Sequence, residues 1–201
     1  MTDAWNPVLT DGHVGLERLA RRHASGWREA RLASAEWLAP WDATVPPGAL
    51  AAPPNFNAMV RRLNREAREM RILPLAITYD GFFVGQLTVG GITWGSQRGC
   101  HMGYWVDKRV AGRGIMPTAV ALATDHAFTE LKLHRVEINI RPENTPSRRV
   151  VEKLGFREEG IRQRYLHIAG DWRDHLCYAL TAEEVPSGLI SRWHTNTSYR
   201  P

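Results

Sequence analysis

A glycine-containing loop between two apolar segments has the residue types needed to bind an anion. The stretch Trp105–Thr118 passes from a β-type run through a basic loop with Gly112 and Gly114, and then directly into a helical pattern. The first N–H groups of a helix have no partner within the helix and lie at the positive end of its dipole, so a pyrophosphate can accept their hydrogen bonds. Glycine lets an anion approach the backbone closely. The stretch therefore predicts a phosphate site, with an ordinary glycine-containing turn as the alternative.

The residues around these glycines separate this loop from two other phosphate-binding loops. A P-loop needs four residues between its first glycine and a Gly-Lys-Ser/Thr sequence, which is absent here. The dinucleotide fingerprint needs a third glycine at the position of Pro117. Proline is tolerated there because the first turn of a helix needs no N–H donor. Lys108, Arg109 and Arg113 add positive charge to the loop.

Two polar side chains occur on a strand that the pattern predicts to be central. Glu137 and Asn139 lie in the run Arg135–Ile140 and share one face, because side chains alternate along a strand. Polar groups in a buried sheet cost free energy unless they are bonded, so the pair indicates a groove, with Glu137 as a candidate general base. A hydrogen-bonded structural glutamate is the alternative, and so is proton loss through ordered water. Tyr165 is a further candidate for the groove, with packing as its alternative.

The elements that must position these residues follow from hydrophobic periodicity. Strands are predicted at Val14–Leu19, Leu73–Tyr79, Phe82–Val89, Ile92–Trp94, His101–Val106, Arg135–Ile140, Phe156–Ile168 and Trp172–Leu180. Gly90 and Gly91 either interrupt the strand before Ile92 or mark a bulge. Helices are predicted at His23–Leu38, Asn57–Met70, Gly114–Leu131 and Ser147–Leu154. An antiparallel meander followed by strand–helix alternation is typical of an α/β or α+β fold with a mixed central sheet. Residues 183–201 are predicted to be a short terminal extension.

Length and composition exclude several classes of protein. A chain of 201 residues with 43% hydrophobic and 23% charged residues is sized for a single domain, 1–201. The mean hydropathy is −0.36, and no stretch approaches the roughly 20 apolar residues of a membrane span. Residues 1–10 lack the pattern of a secretory leader, so a cytoplasmic location is expected. Cys100 and Cys177 are expected to be reduced and buried, and the eight histidines lack the spacing of metal ligands, so no metal is expected.

The charge balance is basic but mixed. With 26 basic and 21 acidic residues the formal net charge is +5, and this charge alone allows a phosphate-bearing cofactor, RNA or neither as a partner. No direct nucleic-acid binding is expected. Arg61, Arg65 and Arg68 share one side of a predicted helix. Glu66 and Glu69 interleave with them and favour a solvated face, with an acidic peptide as the alternative partner. The role of the basic segment 61–71 stays open.

Two motifs in the same order resemble those of the Gcn5-related N-acetyltransferase (GNAT) superfamily. The pattern Arg109-x-x-Gly112-x-Gly114 resembles its coenzyme A pyrophosphate loop. The stretch Arg141–Phe156 resembles its second motif, in which a strand ends at an asparagine, a short helix follows and Gly-Phe opens the next strand. That stretch and Gly170–His175 are also similar to the RimJ/RimL branch, the ribosomal-protein N-terminal alanine acetyltransferases. The likeness covers about residues 73–180.

The resemblance implies a GNAT fold and acetyl-coenzyme A as co-substrate. In that fold helices flank a mixed, mostly antiparallel sheet whose fourth and fifth strands splay apart; here these would be His101–Val106 and Arg135–Ile140. The backbone of the first strand would pair with the pantetheine arm as an added strand. The implied cofactor-binding residues are Trp105, Val106, Arg109, Val110, Ala111, Gly112, Arg113, Gly114, Ile115, Asn144 and Ser147.

The resemblance also implies how the leaving thiolate is protonated. Many members use a tyrosine seven residues after the motif asparagine, Asn144, but Val151 occupies that position here. In the RimJ/RimL branch the hydroxyl at the position of Ser147 is the expected acid, with a role only in capping the helix as the alternative. Asn144 would either hold the pantetheine or turn the loop before Pro146.

The function implied is transfer of acetyl from acetyl-coenzyme A to the N-terminal α-amine of a protein, such as a ribosomal protein, by direct attack in a ternary complex. Ser147 and Glu137 are the candidate catalytic residues, and the chemistry needs no metal. Acetylation of a small amine, such as an aminoglycoside or polyamine, is the first alternative. A non-enzymatic module that binds coenzyme A or the ribosome is the second. The assembly expected is a monomer or homodimer.

Overall fold

A computed structural model of the chain describes residues 3–49 and 51–198. The strands are β1 Val8–Asp11, β2 Val14–Arg18, β3 Leu73–Tyr79, β4 Phe82–Thr93, β5 Gly99–Val106, β6 Arg135–Ile140, β7 Arg157–Ile168 and β8 Asp171–Thr181. The helices are α1 Ala24–Ala33, α2 Ala35–Leu38, α3 Phe56–Arg68, α4 Ile115–Thr129, α5 Thr145–Leu154 and α6 Leu189–Ser198. Residues 1 and 2, in the segment expected to lack a secretory leader, lie outside the described part. So do residues 199–201 of the expected terminal extension.

All eight strands form one sheet, in the order β1-β2-β3-β4-β5-β6-β8-β7. Neighbouring strands are antiparallel except for β5 and β6, which run parallel. The expectation of a mixed, mostly antiparallel sheet flanked by helices is therefore confirmed. The strand at Val8–Asp11 was not predicted, because only four residues pair there and none of them is buried. Because of this additional strand, the two strands that are expected to splay apart are β5 and β6 of the chain, and not its fourth and fifth strands.

The meander β3–β5 has three strands: of the two alternatives for Gly90 and Gly91, the bulge is confirmed and a separate strand at Ile92–Trp94 is not formed. Strand β4 continues to Thr93, and its register against β5 shifts between Gly90 and Thr93. Gly91 has a φ of +54°, and the ring of His101 would clash with a Cβ at this position. The two glycines thus form an irregularity within one long strand instead of ending it.

Helix α4 is the centre of the core. Its side chains from Ile115 to Ala121 are all buried, because the helix packs on the sheet on one side and against other helices elsewhere. A helix that is apolar on all sides is typical of such a position. Large buried side chains of the sheet, among them Leu75, Leu87 and Ile138, belong to the same cluster. This packing holds the N-terminus of α4 in place.

The segment expected to be a terminal extension is part of this core. Leu189 and Trp193 of α6 are buried against α4, and the indole Nε1 of Trp193 donates a hydrogen bond of 3.0 Å to Thr118 Oγ1. The carboxylate of Asp125 accepts hydrogen bonds from the first backbone N–H groups of α6, at 2.6 and 3.0 Å. A cap from another helix leaves no local sequence signal, which is why this helix was not predicted.

Helices α1 and α3 cover the other side of the sheet. Phe56 and Val60 of α3 pack against Leu19 and Ala76, forming a second, smaller apolar cluster. The side chain of Asn55 accepts a hydrogen bond of 2.9 Å from the N–H of Ala58 and caps α3, so this helix begins just before Asn57. In the part of the chain that the structure describes, no helix is long and apolar enough to cross a bilayer.

Replacing Trp193 by alanine is expected to lower the free energy of unfolding by about 3–5 kcal/mol, because the change leaves a cavity beside α4 and an unpaired hydroxyl on Thr118. Urea denaturation followed by circular dichroism measures this loss. Trp94→Ala is the control, since 44% of that side chain is exposed and surface substitutions usually change stability by less than about 0.5 kcal/mol. Equal losses in the two variants would show that α6 is not part of the cooperative core.

Candidate functional site

The two parallel strands of the sheet separate after a short paired section. Residues Gly99–His101 of β5 pair with Arg135–Glu137 of β6, and beyond them each strand continues without the other. The predicted splay of these strands is thus present. A cavity of about 630 Å³ lies in the opening and is lined by the far ends of both strands. Strand N–H and C=O groups that lack a neighbouring strand can bind an extended, amide-bearing ligand.

The glycine loop forms one end of this cavity. Gly112 and Gly114 have φ values of +85° and +79°, a conformation that favours glycine, and both line the cavity. No atom lies within 4 Å of the position that a Cβ on Gly112 would occupy, so the backbone there faces open space. Gly114 is the N-cap residue of α4, and the helix behind it is buried. The loop therefore presents backbone N–H groups at a fixed helix N-terminus, as its sequence predicts.

Asp107 holds the start of this loop. Its buried carboxylate caps the short 3-10 turn Lys108–Val110 by accepting a hydrogen bond of 2.9 Å from the N–H of Arg109. The guanidinium of Arg109 donates to the same carboxylate and to Glu29, at 2.6 and 2.8 Å. Burial opposes the charge of Asp107, but these hydrogen bonds outweigh it and keep its pKa below the ordinary value. The side chain of Arg109 therefore stabilises the loop and is not part of the cavity lining.

Two of the cations that line the cavity come from a different element, helix α5. Arg113 is exposed and, like Arg109, lies outside the lining, whereas Arg149 and Lys153 of α5 belong to it. They are four residues apart and so share one side of the helix. The four-residue spacing of Arg149 and Lys153 could have indicated a shared binding role. The motif instead favoured the basic residues beside the glycines.

A pair of hydroxyl groups joins the two walls of the cavity. Tyr104 on β5 and Ser147 on α5 both line it, and their oxygens are 3.0 Å apart. The side chain of Asn144 caps α5 by accepting from the N–H of Ser147 at 3.2 Å, so Ser147 is not itself the cap. Burial raises the pKa of Tyr104 well above its usual range, which keeps the phenol protonated. If Tyr104 donates to Ser147, the serine O–H is left to donate into the cavity.

Sequence reasoning missed Tyr104, although this tyrosine lies on the predicted cofactor-binding strand His101–Val106, next to Trp105. The family motif predicts a tyrosine at position 151, on the helix, but the residue there is valine. In the structure Val151 is fully buried in the core, and the phenol near the cavity comes from the sheet instead. Strand β5, and not helix α5, therefore supplies the tyrosine hydroxyl group near the cavity.

Glu137 is engaged in ion pairs. One carboxylate oxygen accepts from Arg135 Nε at 2.9 Å and the other from Arg162 Nη2 at 2.6 Å. Burial opposes the charge of Glu137, but the two arginines outweigh it, and the pKa of this carboxyl lies below its ordinary value. Glu137 is also absent from the described cavity lining. Its geometry favours the structural alternative over the role of a base. Tyr165 lies near this network, with its hydroxyl 3.2 Å from Arg162 Nη1, and is likewise outside the lining.

Two other polar groups do line the cavity. The Oδ1 atom of Asn139 is buried and has no hydrogen-bond partner among the described residues. His175 is 3% exposed, and its Nδ1 donates a hydrogen bond of 3.0 Å to the carbonyl of Arg173. Burial lowers the pKa of His175, so the ring is neutral near pH 7 and its Nε2 can accept a proton.

The segment after α1 forms another part of the cavity wall. Trp37 and Trp41 line it there, and Arg141 connects this segment to the end of β6. The guanidinium of Arg141 lies 5.3 Å from the centre of the Trp41 ring, and its Nη1 donates to the carbonyl of Pro40 at 2.7 Å. Asp42 is the only acidic residue in the described lining, and it pairs with Arg31 at 2.5 Å. The charge of the lining is therefore positive.

The structure brings most of the predicted site residues together around one cavity. Those that line it are Trp105, Val106, Val110, Ala111, Gly112, Gly114, Ile115, Asn144 and Ser147. Arg109, Arg113 and Glu137 lie outside it. Among residues 3–49 and 51–198, no group of three or more His, Cys, Asp or Glu side chains is arranged to hold a metal ion. A split sheet with a glycine loop, unpaired strand edges and a hydroxyl pair defines a protein class that binds an anionic, amide-bearing ligand in the opening.

Comparison with known proteins identifies that class. Residues 13–157 match the family model described as the acetyltransferase (GNAT) domain. The chain belongs to the GNAT acetyltransferase family. It is 40% identical to the RimJ of Mycobacterium smegmatis, whose structure was solved in complex with CoA-disulfide; the alignment covers 96% of each chain with a TM-score of 0.89.

Two sequence relatives are similar over a shorter range. The probable N-acetyltransferase YjcK of Bacillus subtilis is 43% identical over 101 residues, 50% of this chain and 56% of that protein. The [ribosomal protein uS5]-alanine N-acetyltransferase of Escherichia coli is 32% identical over 105 residues, 52% of this chain and 54% of that protein. The chain thus spans just over half the length of these curated relatives.

Proposed function

We propose that this protein transfers an acetyl group from acetyl-coenzyme A to the N-terminal α-amine of a protein, such as a ribosomal protein, by direct attack in a ternary complex. The observation that carries the proposal is one cavity that combines the glycine loop, the free strand edges and the Tyr104–Ser147 hydroxyl pair. Likeness to RimJ over nearly the whole chain and to a uS5-alanine N-acetyltransferase supports the choice of acceptor.

The residues present fit acetyl-coenzyme A, which would supply an activated acyl thioester. The N–H groups around Gly112 and Gly114 would donate to its pyrophosphate at the N-terminus of α4. Arg149 and Lys153 would add the balancing positive charge. The free edge of β5 at Trp105 would pair with the amides of the pantetheine arm.

The hydroxyl pair is suited to hold the proton that the departing sulfur requires. Ser147 Oγ would donate toward the sulfur while the protonated Tyr104 donates to Ser147 Oγ. A donor already aimed at the developing negative charge stabilises a transition state without reorganisation. An α-amine has an ordinary pKa of about 7.7–8.0 and so needs less help to lose its proton than a lysine does.

The charge of the lining bears on the small-amine alternative. A site for a polyamine or aminoglycoside would need carboxylates to bind several positive charges. The single carboxylate of the described lining, Asp42, is already paired with Arg31. Cationic side chains there also include Arg141, which would repel a polycation. A peptide N-terminus carries a single charge at most and fits this lining better.

Release of free thiol from acetyl-coenzyme A with a panel of acceptors tests the proposal. Peptides that begin with Ala, Ser or Thr are expected to produce thiol, and the same peptides with a blocked N-terminus and an internal lysine are the matched control. Spermidine and an aminoglycoside are tested in parallel. Thiol release with only the small amines would replace the proposal by its first alternative, and cofactor binding without release by the non-enzymatic module.

Gly112→Val is expected to raise the dissociation constant of acetyl-coenzyme A by about tenfold or more, since the side chain would keep the pyrophosphate away from the backbone and strain a φ of +85°. Calorimetry measures the binding. Gly48→Val is the control, because its φ is +81° and its Cβ position is equally open, but it lies outside the cavity. Similar weakening in both variants would assign the effect to backbone strain alone.

Ser147→Ala is expected to lower kcat by about 10²-fold or more while the dissociation constant of acetyl-coenzyme A changes little, because the serine would act on the departing sulfur. Steady-state kinetics with the best peptide and calorimetry separate the two effects. Tyr104→Phe should give a smaller loss of kcat, since Ser147 keeps its own hydroxyl. Full activity of Ser147→Ala would remove the serine from the mechanism.

A further inference from the structure

A second concave surface lies along α3 and shares no lining residue with the first. It is a groove of about 850 Å³ between α3 and the 3-10 turn Arg21–His23. We call it the arginine groove, lined by Ala20, Arg21, Arg22, Ala58, Val60, Arg61, Arg62, Asn64, Arg65 and Arg68. Six of these ten residues are arginines and none is acidic. None of the ten lines the catalytic cavity.

Both walls of the arginine groove are held in place by buried contacts. Helix α3 is anchored through Phe56, Val60 and Ala67, so its arginines project from a fixed backbone. The turn that carries Arg21 and Arg22 is fixed by the buried His23 ring, whose Nδ1 accepts from the N–H of Ala20 at 3.1 Å. The other ring nitrogen, Nε2, donates to Glu17 at 2.8 Å. The cluster is therefore a feature of the fold and not of a disordered tail.

The positive charge of the arginine groove is poorly balanced. Arg22 pairs with Glu17 at 2.7 Å and Arg62 lies 3.9 Å from Glu66. The four other guanidinium groups have no carboxylate within 4.0 Å among the described residues; they belong to Arg21, Arg61, Arg65 and Arg68. The arginine groove therefore has four positive charges that no nearby carboxylate balances.

Mutual repulsion at such a cluster is unfavourable in the free protein. Burial, and secondly the charge of Arg68, lowers the pKa of the neighbouring Arg18. Arg18 is hydrogen bonded to Asn64, a groove residue, at 3.0 Å. An anionic ligand would relieve this repulsion, so the cluster is better suited to the bound state than to the free one.

The shape and composition of the arginine groove favour a chain of phosphates over other anions. From Arg61 to Arg68 the helix rises about 10 Å, more than a single phosphate covers. Arginine binds phosphate oxygens in a bidentate manner and is the preferred residue for this purpose. An acidic peptide would need apolar or aromatic anchors, and the groove offers only alanines and the buried Val60. Contacts to a nucleic-acid backbone need no such anchors.

We propose that the arginine groove binds the phosphate backbone of a nucleic-acid strand, at a site separate from the catalytic cavity. This differs from the expectation that the protein does not bind nucleic acid directly. The reason is that the fold brings Arg21 and Arg22 opposite the arginines of α3, some forty residues away in sequence. The proposal does not depend on the acetyl acceptor.

Fluorescence anisotropy of the full chain with labelled single-stranded RNA, and with DNA of the same sequence, tests the proposal. Binding is expected to weaken steeply as the salt concentration rises from about 50 to 200 mM. Engagement of the four unpaired arginines predicts a slope of log K against log salt of about −3. Comparison of the RNA and DNA arms identifies which backbone is preferred, and binding of either supports the proposal.

The double variant Arg61→Gln/Arg65→Gln should reduce the affinity by about tenfold or more at low salt and halve the slope, because half of the unpaired arginines are removed. The matched control is Arg28→Gln/Lys132→Gln, which removes the same charge from exposed residues outside the groove. Thiol release with the best peptide acceptor should be unchanged in both variants.

Three results would overturn the proposal. The first is absence of binding to both oligonucleotides at low salt. The second is an equal loss of affinity in the groove variant and the control, which would indicate attraction by overall charge alone. The third is tighter binding of a polyglutamate peptide than of either oligonucleotide, which would assign the groove to an acidic protein segment.

Discussion

The separation of two parallel strands is the constraint on which the rest of this structure depends. Strands β5 and β6 pair over only three residues each, and their unpaired ends create the opening that the site occupies. Unpaired backbone groups inside a domain are costly unless something binds them. On one outer side, β5 remains paired with β4 up to Val106, and on the other, β6 remains paired with β8 up to Ile140. The opening is therefore held by the sheet on both sides.

The helices that border the opening convert it into a binding site. The buried position of α4 fixes a helix N-terminus at one end, and the cap at Asn144 starts α5 where Ser147 reaches Tyr104 on the sheet. Arg141 joins the segment near Trp41 to the end of β6. Each wall thus comes from a different part of the chain, and one core stabilises all of them.

The role of a cationic side chain in this structure depends on whether it has a carboxylate partner. Arginines next to acidic residues stabilise the fold. Arg109 holds the glycine loop through its ion pair with Asp107, and Arg135 and Arg162 both pair with Glu137 on β6. Among the described cations without such a partner, Arg149 and Lys153 line the cavity, and Arg21, Arg61, Arg65 and Arg68 line the arginine groove. Which role an arginine has depends on whether a carboxylate lies within reach, and that depends on the fold.

Several elements could be predicted from the sequence because their signals are local. The Asp80-Gly81 turn has positive φ at both residues, and alternation in Arg135–Ile140 places its apolar side chains in the core. The glycine loop and the start of a helix at Gly114 were also predicted at the correct positions. In each case a few adjacent residues determine the backbone geometry, so neighbours in sequence contain the necessary information.

Other features depend on residues far apart in the chain. Helix α6 needs a cap from Asp125, and the hydroxyl pair joins residues 104 and 147. The sequence also could not show that Arg109 would turn toward Asp107, or that Glu137 would be shared by two arginines. By itself the sequence determined the family motifs, the mixed sheet and the anion-binding loop, because short-range periodicity and backbone preferences encode them. Only the tertiary structure decided which charged and hydroxyl groups reach the cavity, because side-chain pairing is a competition among groups that folding alone brings together.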